Sequence, residues 1–263
     1  MTEERQGDLM VDAVRELEGK VAIVTGSARN IGRFTAEELA RAGAAVVING
    51  RSSPELCEEV ADGIVQAGGK AIAIQANISD QDEVARMMKQ VADEFGGIDI
   101  LVNNASWRNI VPFEELDYAT YERARSVAMD GCFICSKAVL PYMMPRGEGN
   151  IIGIGGVGST MGAPGRAHAA ATKNGMHAMI RGMALDLAKY NIRCNVCVVG
   201  NFDTIREGSS SVAPEHLKND SIPLGRLGHP QDMANLVRFV VGPNASYITG
   251  QTLHCNGGLY MAL

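Results

Sequence analysis

The chain has 263 residues, 46% hydrophobic and 21% charged, with 24 Lys plus Arg against 30 Asp plus Glu and a net charge of -6. That length fits one large α/β unit and can bury a core without disulfide or metal staples. The acidic balance argues against a nucleic-acid binder, no run approaches the roughly 18 apolar residues of a membrane helix, and residues 1–16 are polar with no apolar signal core. The expectation is a cytoplasmic protein with a small-molecule partner, with no nucleic acid and no membrane.

In chain order, residues 19–25 (GKVAIVT) read as an apolar strand ending at a glycine turn, and 31–42 carry helical spacing. A second strand (44–49, AAVVIN) precedes a helix over 54–66. A third strand (70–75, KAIAIQ) precedes a helix over 80–95, with Asp80 placed to cap it. A fourth strand (98–103, IDILVN) leads to one long helix over 117–144. A fifth (150–155, NIIGIG) leads to a second long helix over 166–190, and a sixth strand covers 192–199. The polar stretch 207–220 has the character of a lid. A helix over 231–241 and a strand over 251–255 close the chain. Strands alternate with helices throughout, and several strands are apolar on both faces. The pattern predicts a doubly wound, Rossmann-like parallel sheet covered by helices on both faces. Ligands on such a sheet bind outside the carboxyl ends of the strands.

The six cysteines include two CxxC pairs, Cys132/Cys135 and Cys194/Cys197. The second pair lies in a strand pattern, where residues three apart point to opposite faces, and the first lies in a helical pattern. No metal site is expected, and free thiols fit a reducing compartment.

Between the first strand and helix runs Thr25-Gly26-Ser27-Ala28-Arg29-Asn30-Ile31-Gly32. A glycine turn feeding a helix N-terminus offers free N–H groups to a pyrophosphate. The second strand closes on Asn49-Gly50-Arg51-Ser52, where NAD sites carry an acid for the ribose 2′-hydroxyl. Arg51 stands there instead, with Arg29 available from the first loop. Two guanidinium groups and no acid point to NADP(H).

On these residues the chain resembles the short-chain dehydrogenase/reductase family, particularly its 3-oxoacyl-[acyl-carrier-protein] reductase-like members. The family's TGxxxGIG loop corresponds to Thr25 through Gly32, with Asn30 at the middle glycine. Its adenine-side Asp corresponds to Asn77, its NNAG to Asn103-Asn104-Ala105-Ser106, and its NxxxPG to Asn195 through Gly200 with Val for Pro. Pro223-Leu224-Gly225-Arg226-Leu227-Gly228, Thr249-Gly250-Gln251 and Gly257-Gly258 also match. The resemblance implies a seven-stranded sheet, a homotetramer or dimer, and one dinucleotide-binding unit over residues 17–263 with 1–16 as an N-terminal extension. It implies cofactor contacts at Gly26, Ser27, Arg29, Asn30, Ile31, Gly32, Arg51, Asn77, Ile78, Asn104, Ala105, Ser106, Lys173, Gly200 and Thr204.

The family's catalytic Asn, Ser, Tyr and Lys are another matter. Lys173 fits YxxxK, but the Tyr position is Ala169. The Ser position, 13 earlier, is Gly156, and the Asn position is Ala128. Only Lys173 remains, so the usual proton relay is gone. Candidate replacements are His168, next to the vacant Tyr position, and Arg108, placed by resemblance at the substrate mouth with Ser106 and Trp107. Cys132, Ser159, Thr160, Asn201 and Asp203 are further polar groups near these positions. The leading expectation is an atypical NADP(H)-dependent oxidoreductase for substrates that need little proton help: an iminium ion, a conjugated enone, or a substrate carrying its own acid. A non-redox lyase, dehydratase, cyclase or isomerase on the same fold, or a catalytically silent binding or scaffold subunit, are the alternatives.

Overall fold

Short apolar runs of four to eight residues punctuated by glycine turns become strands, and the 3.6-residue patterns between them become the helices that cover the sheet. The computed structural model describes residues 15–204 and 221–261. It contains β1 (Val21–Val24), α1 (Asn30–Arg41), β2 (Ala45–Gly50), α2 (Pro54–Gln66), β3 (Lys70–Gln75), α3 (Gln81–Phe95) and β4 (Ile100–Asn103). A long rod follows, made of α4 (Tyr118–Arg125), a π-helical turn (Ser126–Asp130) and α5 (Gly131–Met143). Then come β5 (Gly149–Gly156), α6 (Val157–Met161), α7 (Ala167–Leu187), β6 (Ile192–Val199), α8 (Pro230–Val241) and β7 (Thr252–Cys255).

The seven strands form one sheet in the order β3-β2-β1-β4-β5-β6-β7. All neighbours are parallel, with Val21 opposite Ala45, Ala22 opposite Ile100 and Gly149 opposite Ile192. The order reverses between β1 and β4, so the two strand ends that flank that switch frame the ligand crevice.

Alternation along each strand divides the core in two. Ile23, Val47, Leu101, Ile151 and Cys194 pack with Met87 of α3, Cys135 of α5 and Ile180 of α7. Val24, Ile48, Val102, Ile152 and Cys197 pack on the other face with Leu39 of α1, Val60 of α2 and Val237 of α8. Cys194 and Cys197 therefore lie on opposite faces of β6, as the strand period requires.

The long helix expected over 117–144 is interrupted. At the π-helical turn the Gly131 N–H donates to the Ser126 carbonyl, five residues back. The rod Tyr118–Arg146 is also long and apolar enough by length and composition to cross a membrane. In the fold, Cys132, Cys135, Val139 and Met143, spaced three or four apart, bury that apolar face against the sheet. The helix expected over 166–190 ends its α-helical part at Leu187 and closes with a 3₁₀ turn, Ala188–Tyr190. The lid expected over 207–220 lies outside the described residues. Glu16, assigned to the extension, is docked: Arg238 of α8 bridges it at 2.6 Å and Glu38 of α1 at 2.8 Å.

Candidate functional site

The carboxyl ends of β1, β2, β3 and β4 open into a cavity of about 790 Å³. The turn after β1 is shaped by close approach. Gly26 has φ +62, and a Cβ there would sit 2.9 Å from the Ala105 Cα. A Cβ on Gly32 would sit 2.4 Å from the Gly26 carbonyl and 2.6 Å from the Asn104 side chain. Only glycine fits either position. Asn30 holds φ 51, the left-handed region that Asn tolerates better than most side chains, so the loop keeps its path although the family's glycine is absent.

Three side chains, at the ends of β1, β2 and β4, fix that turn. The Thr25 hydroxyl accepts from the Asn104 N–H at 3.0 Å and the Ala105 N–H at 3.1 Å. The Asn104 amide donates to the Thr25 and Gly26 carbonyls, both at 2.9 Å. Asn49, buried at the end of β2, donates to the carbonyls of Ile74 and Ala76 at 3.2 and 3.1 Å and accepts from the Gly26 N–H at 3.4 Å. Asn49 is not among the residues expected at the site from the sequence. A polar residue ending an apolar strand is its only signal.

Of the residues expected at the cofactor, Gly26, Arg29, Asn30, Ile31, Gly32, Arg51, Asn77, Ile78, Asn104, Ala105, Ser106 and Thr204 line the cavity. Ser27 does not. It is fully buried, its hydroxyl donates to the Val24 carbonyl at 2.7 Å and accepts from the Asn49 N–H at 3.0 Å, and so it stitches β1 to β2. Gly200 is also outside the described lining. Its N–H donates to the Cys255 carbonyl, and a Cβ there would strike Asn256 at 2.6 Å. Asn77 folds into a turn in which its side-chain oxygen accepts from the Ser79 N–H at 3.2 Å.

A family model described as Enoyl-(Acyl carrier protein) reductase matches residues 26–260. The 3-oxoacyl-[acyl-carrier-protein] reductase FabG of Vibrio cholerae is 36% identical over 245 residues, 93% of this chain and 99% of that protein. The protein of the same name from Staphylococcus aureus is 37% identical over 245 residues, 92% of this chain and 98% of its own. Among solved structures, a dehydrogenase/reductase from Sinorhizobium meliloti superposes with a TM-score of 0.89 at 31% identity, covering 96% of this chain and all 100% of that one. A short chain dehydrogenase from Burkholderia cenocepacia, crystallised in complex with NADP, gives 0.86 at 33% identity, covering 93% and 99%. The chain belongs to the short-chain dehydrogenase/reductase family.

Within this family's oxidoreductase fold the present chain has an altered catalytic residue set. Ala169 and Lys173 stand one turn apart on α7, Gly156 ends β5, and Ala128 is buried in the π-helical turn. A Cβ on Gly156 would meet nothing within 4 Å, so the vacated serine position is open space. Lys173, also expected at the cofactor, lies outside the cavity lining; it is half-buried and its Nζ donates to the Ile154 carbonyl. Desolvation, with the nearby Arg108 charge, pushes its pKa down to about 7.

The replacement candidates separate by environment. Arg108 is exposed and lines the cavity with Ser106 and Trp107. His168 is buried outside the described lining, its ring centred 6.3 Å from that of Trp107. Burial, with the Arg166 charge, holds its pKa below the ordinary histidine value. The Ser159 hydroxyl donates to the Gly156 carbonyl at 2.7 Å. Cys132 is buried, which pushes its thiol up to about 11. Two arginines that sequence reading passed over, Arg123 of α4 and Arg166 at the start of α7, also line the cavity. Arg166 carried an indirect signal, a cation where a long helix favours Ser, Thr, Asn or Asp, while Arg123, in the last turn of α4, carried none.

Proposed function

We propose that this chain is an NADP(H)-dependent oxidoreductase that moves a hydride to or from a small organic substrate without the usual tyrosine proton donor. The observation that carries this reading is a glycine cradle flanked by Arg29 and Arg51, in a chain that keeps Lys173 and has Gly156 and Ala169 at the serine and tyrosine positions. When bound, NADP(H) supplies or accepts the hydride.

The residues divide the work as follows. Backbone N–H groups of the turn from Gly26 to Gly32 face a pyrophosphate, and the guanidinium groups of Arg29 and Arg51 hold the 2′-phosphate. Asn77 and Ile78 border the adenine, while Asn104, Ala105 and Ser106 form the wall beneath the second ribose. Lys173 would hold the nicotinamide ribose, and Thr204 would border the nicotinamide side. Arg108 donates to the substrate oxygen. Among the described residues, no side chain at the tyrosine position supplies its proton, a contribution of about 10²–10⁴ in rate. The substrate class is therefore one that accepts hydride unaided: an iminium ion, a conjugated enone, or a molecule carrying its own acid. His168 keeps a lesser part, shaping the wall through Trp107. We assign residues 17–263 to one catalytic unit, a reducing cytoplasmic setting supported by six free thiols, and an oligomer supported by the exposed Phe133 and Leu185.

Titration of NADPH and NADH by calorimetry and fluorescence tests this. NADPH is expected to bind clearly and NADH much more weakly, with turnover of iminium or enone substrates at the nicotinamide absorbance. Binding of neither nucleotide, or product formed with no change in that absorbance, overturns the reading in favour of non-redox chemistry.

A further inference from the structure

In the reading above, telling NADP(H) from NAD(H) falls to Arg29 and Arg51. Arg29 rides on the turn that Thr25, Asn49 and Asn104 fix. Arg51 rides on a loop with far fewer ties. It lines the cavity and is exposed, and among the described residues its guanidinium makes no ion pair and no hydrogen bond. Its direction is therefore set by the backbone that carries it, residues 51–53 between β2 and α2.

Both ends of that loop are held. Gly50 pairs with Gln75 of β3, its carbonyl accepts from the Ala76 N–H at 3.2 Å, and a Cβ there would strike the Cys57 Sγ of α2 at 2.7 Å. Pro54 opens α2, and a proline keeps the residue before it out of helical backbone. Between these ends there is one tie. The Gln75 side-chain amide donates to the Arg51 carbonyl at 2.8 Å, and no side chain of another described residue bonds to the backbone of residues 51–53. The sheet has no backbone donor left for this carbonyl. Past Ala76 the chain turns away, with the Asn77 N–H donating to the Glu83 carboxylate at 2.8 Å and the Ala76 carbonyl accepting from the Asn49 amide at 3.1 Å. The β2–β3 ladder stops one residue short of Arg51, and the Gln75 side chain adds the missing rung. Gln75 is the last residue of β3 and is exposed, so the core does not dictate its identity.

We propose that Gln75 is a positioning residue for cofactor selectivity: by holding the Arg51 carbonyl it aims the Arg51 guanidinium at the 2′-phosphate of NADP(H). The inference rests on the reading of this cavity as an NADP(H) site and adds how the discriminating charge is held there. An arginine on an unpinned loop gives up backbone and side-chain freedom together when it meets a phosphate. With the backbone already pinned, only the side chain remains to be ordered. A guanidinium fork takes phosphate oxygens two at a time, so its aim matters as well as its charge. The gain is confined to the 2′-phosphate, because NAD(H) offers Arg51 nothing to grip.

The test uses two probes that differ only in that phosphate, adenosine 2′,5′-bisphosphate and AMP, titrated by calorimetry beside NADPH and NADH. Gln75→Met and Gln75→Leu keep the bulk of the side chain and remove the donor. Each is expected to weaken adenosine 2′,5′-bisphosphate and NADPH about threefold to tenfold, the loss of one hydrogen bond, and to leave AMP, NADH and the thermal midpoint unmoved. A residue with a purely structural role would shift all four ligands together or none. In an Arg51→Gln background the same substitutions are expected to weaken binding less than about twofold, because no guanidinium is left to aim. Unchanged selectivity in both Gln75 variants, or equal losses with and without Arg51, overturns the inference and leaves the cofactor reading standing. A parent protein that binds adenosine 2′,5′-bisphosphate no better than AMP, and NADPH no better than NADH, overturns both, so the two failures are seen separately.

Discussion

At the scale of single residues, the vacant positions make the sharpest predictions. Ala169→Tyr with Gly156→Ser restores a hydroxyl one turn before Lys173 and a second at a site where a new Cβ meets nothing within 4 Å. Ketone reduction with NADPH is expected to rise by about 10²–10⁴, the usual worth of a positioned acid, measured as kcat/KM against the parent. Arg51→Gln is expected to raise the Kd for NADPH about tenfold or more and leave NADH unmoved, read by calorimetry. The loss of Asn, Ser and Tyr was legible through the family resemblance, whose YxxxK spacing carries Lys173 back to Ala169 and whose Ser and Asn positions fall on Gly156 and Ala128. The direction of Ser27 was not. Its hydroxyl is claimed by Val24 and by Asn49, 22 positions away, and no local pattern encodes that closure. His168 and Arg166 exchanged importance for the same reason: sequence adjacency to the vacant tyrosine says little about which side of α7 meets the cavity.

At the scale of elements, caps and turns are readable, and changes of helical pitch are not. Asp80 was expected as an N-cap, and its carboxylate accepts from the N–H groups of Asp82 at 2.9 Å and Glu83 at 3.0 Å. Asp80→Ala is expected to cost about 1 kcal/mol, seen as a lower urea midpoint with an unchanged m-value. The π-helical turn was invisible because one extra residue per turn leaves composition and apolar spacing almost intact over five residues. Its effect is large all the same. The Ser126 carbonyl accepts from both the Gly131 N–H and the Ser79 hydroxyl, at 2.9 Å for the latter, tying the rod to the loop that bears Asn77 and Ile78. Gly131 lets Ile78 in close, since a Cβ there would stand 2.6 Å from the Ile78 Cδ1. The helix interior thus gives up propensity to seat one wall of the cavity.

For the whole molecule, strand–helix alternation and two-sided apolar strands were enough to foresee a doubly wound sheet. Which charges end up buried was not foreseeable, and it governs the response to pH. His177 is buried between α7 and β5. Desolvation, then the charges of Lys173, Arg181 and His254, push its pKa down to about 4 from an ordinary 6.5. Between those values the unfolded chain binds a proton that the native one refuses, so stability falls as pH drops from about 6.5 towards 4. His177→Gln is expected to flatten that slope in a series of urea melts. Lys173 acts at the other end. Its native pKa of about 7 lies below the ordinary 10.5, so the unfolded chain holds the extra proton between them and stability grows as pH rises through that window. Lys173→Met is expected to abolish the gain.

The cysteines carry a last consequence. Five of the six are buried and Cys255 alone is partly accessible, while burial raises every one of these thiols above its ordinary pKa. A thiol-specific dye should therefore label at most one site quickly on the native protein. The remaining five, spread over α2, α5 and β6, become reactive only as those parts open, so the rate of each successive modification, resolved by mass spectrometry, would rank the two faces of the sheet by how readily they come apart.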